Sequence, residues 1–109
     1  MLDEQQFQNL AEEALTTLSK QLNAAAERFD FEADMNNGAL TVEFEDPPTK
    51  FVVSPNSPVR QIWVSAHLRS FKLDWHPVRH SFVLPDTGQD LKQLIASHVS
   101  QQLEEEVTL

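Results

Sequence analysis

Residues 58–65 read Pro58-Val59-Arg60-Gln61-Ile62-Trp63-Val64-Ser65. Ile62 and Val64 alternate with Gln61, Trp63 and Ser65, the period-two pattern of a half-buried strand. With Ile62 and Val64 turned to a core, Trp63 stands on the opposite face, in a row with Gln61 and Ser65. A tryptophan held toward water by strand geometry has the character of an anchor for a partner protein. The alternative is that a loop or the C-terminal tail folds over it.

Working outward, residues 29–36 and 39–46 form a hairpin around Asn37-Gly38, a strong two-residue turn signal. Lys50–Val53 makes a third strand after Pro47-Pro48, and Gln61–Ser65 the fourth. Phe71, Leu73 and Trp75 alternate with Lys72 and Asp74 in a fifth, and Phe82 and Leu84 mark a short sixth. Residues 3–26 carry Phe7, Leu10, Ala11, Ala14, Leu15, Leu18 and Leu22 at three- and four-residue spacing, an amphipathic helix opened by Asp3 and Glu4. Residues 88–102 predict a second helix, with Leu91, Leu94, Ile95, His98 or Val99, and Leu103 on its apolar side. Asp90 serves as a carboxylate of its first turn, and Val107-Thr108-Leu109 pack back between the helices. Helix, antiparallel strands, helix is the pattern of an α+β two-layer sandwich. Both helices cover one face of a mainly antiparallel sheet of about six strands and leave the other face partly solvated. Residues 1–109 form one domain, with no internal repeat and no linker.

Composition removes several classes of function. There is no cysteine, hence no disulfide and no thiolate chemistry. No apolar run approaches the roughly 18 residues of a membrane span. The acidic N-terminus resembles neither a signal nor a transit peptide, so a cytoplasmic location is expected. The net charge of −9 argues against nucleic acid, whose phosphates need lysine and arginine. No Gly-rich phosphate loop and no Ser-His-Asp spacing is present, so no enzyme is expected. The charge is unevenly distributed. Residues 1–46 hold eleven carboxylates against Lys20 and Arg28, residues 47–103 carry six basic and three acidic side chains, and Glu104, Glu105 and Glu106 follow.

The hairpin register concentrates part of that acid. With Asn37-Gly38 as loop residues, Met35 meets Leu40, Ala33 meets Val42 and Phe31 meets Phe44 on one apolar face. On the other, Asp34 meets Thr41, Glu32 meets Glu43 and Asp30 meets Glu45. Opposed like charges weaken a sheet, so five carboxylates on one small face point to a use, for a cation or for a basic partner. The alternative is a plain solubilising surface. Oxygen donors suit hard cations such as iron, manganese, calcium or magnesium. Neighbours on a strand face lie about 7 Å apart, so a flat ridge binds weakly, with much water and little selectivity. Of the four histidines, His76 and His80 flank a turn with Asp74 as the one nearby acid, a poor metal set. His67 follows the tryptophan strand, and His98 lies on the second helix as a structural or exposed residue.

The chain resembles the frataxin family. Frataxins carry a strand of the form Pro-x-x-Gln-Ile/Val-Trp-Leu/Val-Ser/Ala, matched at Pro58, Gln61, Ile62, Trp63, Val64 and Ser65. Gly38-Ala39-Leu40-Thr41-Val42-Glu43-Phe44 is similar to the family's Gly-x-Leu-Thr-Ile-x-Phe strand, and Lys72-Leu73-Asp74-Trp75 to its basic-aromatic-Asp-Trp strand. Gly88-x-x-Leu91-x-x-Leu94-Ile95 fits its last helix. The ordered set runs from Phe7 to about His98, and the short form looks like the bacterial, CyaY-type frataxins. The resemblance implies the sandwich fold and a regulatory role in iron–sulfur cluster assembly. It implies a protein that binds ferrous or ferric iron weakly and docks on the cysteine desulfurase and scaffold protein; a monomer is expected.

Two departures shift the expected sites. The family's acidic ridge continues along the end of the first helix, whereas Ser19–Ala26 here contains no acid; Glu43 stands where relatives are often neutral. The expected metal ligands are therefore Asp30, Glu32, Asp34, Glu43 and Glu45. The family's Asn-basic-Gln-x-Pro loop reads Ser54-Pro55-Asn56-Ser57-Pro58, with Asn56 as a shortened stand-in for the glutamine, and Phe82 replaces a third tryptophan. The expected partner-binding residues are Asn56, Gln61, Trp63 and Ser65 on the sheet, with Glu12 and Glu13 on the first helix. Two other functions compete: an iron-oxidising storage oligomer, which needs inward-facing carboxylates and usually a histidine, and an acidic adaptor unrelated to iron.

Overall fold

A computed structural model of the chain describes residues 2–45 and 47–109. Met1 lies outside the described residues, as does Asp46, which belongs to the acidic block and the expected end of the second hairpin strand. The element order is α1 (Glu4–Ala26), β1 (Glu32–Asn36), β2 (Ala39–Glu45), β3 (Pro48–Asn56), a 3-10 turn (Ser57–Val59), β4 (Gln61–Ala66), β5 (Arg69–His76), β6 (Ser81–Val83) and α2 (Leu91–Leu103). Among the described residues the strands form one sheet in the order β1-β2-β3-β4-β5-β6, each antiparallel to its neighbours. Both helices pack on one face. This is the expected two-layer α+β sandwich.

Each helix is started by the same device. Asp3 accepts from the Gln6 backbone N–H at 2.8 Å while the Gln6 side chain accepts from the Asp3 N–H at 3.1 Å. Asp90 and Gln93 repeat the capping box at 2.8 and 3.0 Å. Asp90 is thus the N-cap, and α2 begins at Leu91 rather than Gly88, which occupies a left-handed turn at φ +77°. Buried Phe7, Ala11, Leu15, Leu18, Leu22 and Ala25 form the α1 stripe. They pack with Leu40, Val42, Phe51, Val53, Ile62, Val64 and Leu73 from the sheet and with Leu94, Ile95 and Val99 from α2. The tail folds back as expected: Val107 is buried, and its N–H donates to Ser100 Oγ at 2.9 Å.

The hairpin forms around Asn37 (φ +54°) and Gly38 (φ +81°), and its register from Glu32↔Glu43 to Asn36↔Ala39 is the expected one. The ladder is shorter than the sequence pattern predicts. The chain reverses direction between α1 and β1, and Arg28 and Phe29 donate their N–H groups back to the Ala25 carbonyl. Asp30 therefore lies in a bend, and the Asp30–Glu45 and Phe31–Phe44 backbone pairs are not part of the ladder. Phe31 still packs on Phe44, with ring centroids 5.7 Å apart. Met35 shares the apolar face but stays 42% exposed, because β1 is an edge strand. Strand β3 is longer than expected, so Ser54–Asn56 belong to the sheet and not to a loop.

The β4–β5 connection carries no Gly or Asn. Its two residues, His67 (φ +50°) and Leu68 (φ +63°), are both left-handed. This conformation costs ordinary residues about 1–2 kcal/mol each.

Candidate functional site

Strand alternation sorts the sheet into two surfaces. Leu40, Val42, Phe44, Phe51, Val53, Ile62, Val64, Phe71 and Leu73 turn to the helices and are buried. Glu32, Asp34, Thr41, Glu43, Glu45, Lys50, Val52, Ser54, Gln61, Trp63, Ser65, Ser70, Lys72 and Asp74 share the face that no helix covers. The hairpin carboxylates and the tryptophan therefore occupy one surface. Row by row it runs Asp34–Thr41–Val52–Ser65–Ser70, then Ser54–Trp63–Lys72, then Asn56–Gln61–Asp74. Three strand steps and two residues separate Asp34 from Trp63, roughly 15 Å at ordinary sheet spacings. A partner covering a standard interface patch of about 800 Å² spans both.

Trp63 is held in place. It is 38% exposed, and neither a loop nor the tail covers it. Its indole N–H donates to Gln61 Oε1 at 3.0 Å, and Gln61 Nε2 donates to Asp74 Oδ1 at 3.0 Å. Lys72 Nζ lies 5.0 Å from the ring centroid, a cation–π contact. The strand fixes the backbone and these contacts fix the rotamer, so the ring has little freedom left to lose on burial. Small neighbours, Ser54, Ser65 and Ser70, leave a shallow groove along its edge. Trp75 differs: it is half-buried against Phe82, with centroids 5.1 Å apart.

The acidic end of the face is open. Asp30, Glu32, Asp34, Glu43 and Glu45 are all exposed, and among the described residues no three His, Cys, Asp or Glu side chains converge to hold an ion. Oxygen donors spaced along a ridge fit only a loosely held, largely hydrated hard cation. Glu43 also has a neighbour that the hairpin register alone conceals. It stands between Glu32 on β1 and Lys50 on β3. The one directly opposed like-charge pair in the ladder is Glu32–Glu43, and Lys50 offsets part of its repulsion.

The expected partner-binding set divides between two surfaces. Asn56, Gln61, Trp63 and Ser65 lie together on the open face. Glu12 and Glu13 are exposed on α1, in the layer on the other side of the sheet, and cannot meet a partner seated flat on Trp63. Sequence reasoning missed Lys72, Asp74 and Lys50 as neighbours, which cross-strand register supplies. It also missed a contact between His67 and His98, whose Nδ1 atoms lie 2.8 Å apart. His98 is buried, only 8% exposed, between Phe51 and Phe71. Burial, then His67, then Arg69 hold its pKa below the ordinary histidine value. His76 and His80 do not pair. His76 Nδ1 accepts from the Arg79 N–H at 3.1 Å, and His80 packs edge-on to Trp75.

Known proteins resemble both the chain and its fold. The family model described as a frataxin-like domain matches residues 1–105. A protein from Dechloromonas aromatica named iron-sulfur cluster assembly protein CyaY is 31% identical over 99% of this chain and 99% of its own length. Its namesake from Ralstonia nicotianae is 29% identical over 99% of this chain and 95% of its own. The solved structure of frataxin from Psychromonas ingrahamii superposes with a TM-score of 0.84 over 98% of this chain and 97% of that one, at 20% identity. With the model match spanning nearly all residues and the six-stranded sheet and two helices arranged as in that structure, the chain belongs to the frataxin-like family, in its bacterial CyaY form.

Proposed function

We propose that this protein regulates iron–sulfur cluster assembly as a monomeric cytoplasmic binding protein, without catalysing a reaction itself. It docks on the cysteine desulfurase and scaffold complex through the open sheet face and carries iron weakly on the hairpin ridge. The observation that supports this most is the placement of Glu32, Asp34, Glu43 and Glu45 on the same uncovered surface as Trp63. Carboxylates steer the protein toward a basic surface, and a pre-set tryptophan supplies short-range burial. Names borne by close relatives point to the same pathway. Iron enters as cargo: a flat set of exposed oxygens suits a hydrated ferrous or ferric ion that is easily given up.

The storage-oligomer reading needs inward carboxylates with a histidine, and the exposed ridge has neither. A direct test is capture of purified cysteine desulfurase by the wild-type chain and by a Trp63→Ala variant, with and without ferrous iron. Binding lost in the variant supports the reading. Equal capture by both removes the open face as the docking surface. Amide NMR shifts on titration with ferrous iron or cobalt should centre on the hairpin. Shifts confined to His76 and His80 would place the cation elsewhere.

A further inference from the structure

The His67–His98 contact joins two elements far apart in sequence: the strained β4–β5 turn and the last turns of α2. Its hydrogen-bond partners specify both tautomers. Gln102 Nε2 donates to the Pro47 carbonyl at 3.3 Å, which turns Gln102 Oε1 toward His67. His67 Nε2 lies 3.0 Å from that oxygen and therefore bears a proton. In neutral His67 this leaves Nδ1 as an acceptor, so His98 Nδ1 bears the proton of the 2.8 Å bond. The ring centroids are 5.0 Å apart, about the Nδ1–Nδ1 distance plus two ring radii. The two nitrogens thus point at each other along a hydrogen bond rather than converging on a shared metal ion.

Proton counting follows from this geometry. Of the four ring nitrogens, His67 Nε2 and His98 Nδ1 carry protons and His67 Nδ1 accepts. A first added proton goes to His98 Nε2 and leaves the bond intact as imidazolium donating to imidazole. A second has only the lone pair that the bond already uses, so it breaks the contact and sets two cations face to face. We propose that His67 and His98 form an acid-sensitive latch, closed at neutral pH and opened on acidification, that ties the end of α2 to the β4–β5 turn. The turn bears Leu68, which is fully exposed, so opening the latch sets an apolar tip loose.

The surroundings favour release. Phe51 from β3 and Phe71 from β5 pack on the pair and offer no counter-charge. Arg69 on β5, whose guanidinium lies 4.9 Å over the Phe71 ring, opposes protonation. The groove beside His98 is lined by Lys72 and Asp74 from β5 and by Asp86 before α2, with Gln101 and Ser97 from the helix itself. Asp74 accepts from Gln61. The first proton, on His98, sets the sign: the folded pKa there is depressed, so this proton destabilises the folded chain while the bond stays closed, and the second, which must break the bond, adds to the loss at lower pH. The unfolded chain binds more protons as pH falls through about 6.5, so stability is fully present above that value and is lost on acidification. One such proton lowers the folding equilibrium constant by up to tenfold per pH unit in that window.

The test uses the intact chain labelled with ¹⁵N. At pH 8 the imidazole spectra should show His67 as the Nε2–H tautomer and His98 as Nδ1–H; the reverse pattern in either ring overturns the latch. Hydrogen exchange, corrected for intrinsic rates, should then lose at least tenfold protection around residues 66–69 and 98–103 between pH 7.5 and 5. The β1–β2 hairpin should change far less. His67→Asn tolerates the left-handed turn but cannot take up the second, bond-breaking proton, so it should clearly reduce the differential loss around residues 66–69, leaving only what His98 contributes. Protection that is flat with pH in the wild-type chain, or that falls equally in His67→Asn, refutes the proposal. If the variant does not fold, the wild-type spectra and exchange decide alone.

Discussion

The two faces of the sheet are built from the same strands and obey opposite rules. Toward the helices, Phe51, Ile62, Val64 and Leu73 are sealed, and each depends on many neighbours. Toward water, Glu32, Asp34 and Trp63 have few neighbours, and some of those are unfavourable. Successive residues of β4 illustrate the difference: Ile62 is fully buried, while Trp63 next to it stands against Lys72 and Gln61. Burial on one face stabilises the fold. On the other face, side chains persist at some cost or little benefit to stability, which is the property the proposed docking role uses.

The sharpest way to break this comparison is a pair of truncations. Phe51→Ala should lose about 3–5 kcal/mol, as a fully buried aromatic does. Trp63→Ala should lose no more than about 1 kcal/mol, the scale of one exposed cation–π contact. Urea unfolding monitored by circular dichroism measures both, and comparable losses would mean that Trp63 is a core residue. For binding the order reverses. Trp63→Ala should weaken association with the desulfurase complex by about 2 kcal/mol, the scale of an interface hot spot, and calorimetry reads the change.

Charge effects are smaller. Replacing Glu32 and Asp34 by Gln and Asn should slow association at low ionic strength and matter much less above about 0.1 M salt, where the Debye length falls to about 10 Å. A slope in stopped-flow rates that does not change with salt would separate the ridge from docking. Smallest is the effect on stability. Glu32→Gln should stabilise the hairpin by roughly 0.2–1 kcal/mol by relieving its repulsion with Glu43. Glu43→Gln should gain less, because it also gives up Lys50. Equal gains from both would show that Lys50 leaves Glu43 unaffected. Acrylamide should quench Trp63 more than Trp75 in single-tryptophan variants; equal quenching would contradict the assigned faces.

Much of the molecule was legible because its signals are local. The Asn37-Gly38 turn set the hairpin register, the three- and four-residue spacing from Phe7 to Leu22 set the face of α1, and the alternation from Gln61 to Ser65 set the orientation of Trp63. Errors arose where chain reversal or crossed register decides. Asp30 left the ladder because the chain must turn between α1 and β1. The His67-Leu68 turn gave no glycine signal although both residues are left-handed.

The amino-acid sequence by itself determined the layer pattern, the buried stripe of each element and the rows on which Glu32, Asp34 and Glu43 sit, since periodicities of 3.6 and 2 act over a few residues. Only the tertiary structure decided which rows become neighbours. Lys50 beside Glu43, Lys72 over Trp63, and His98 against His67 are separated by 7, 9 and 31 residues along the chain. They meet because antiparallel pairing and helix packing bring distant segments together, and no local pattern encodes the register in which that happens.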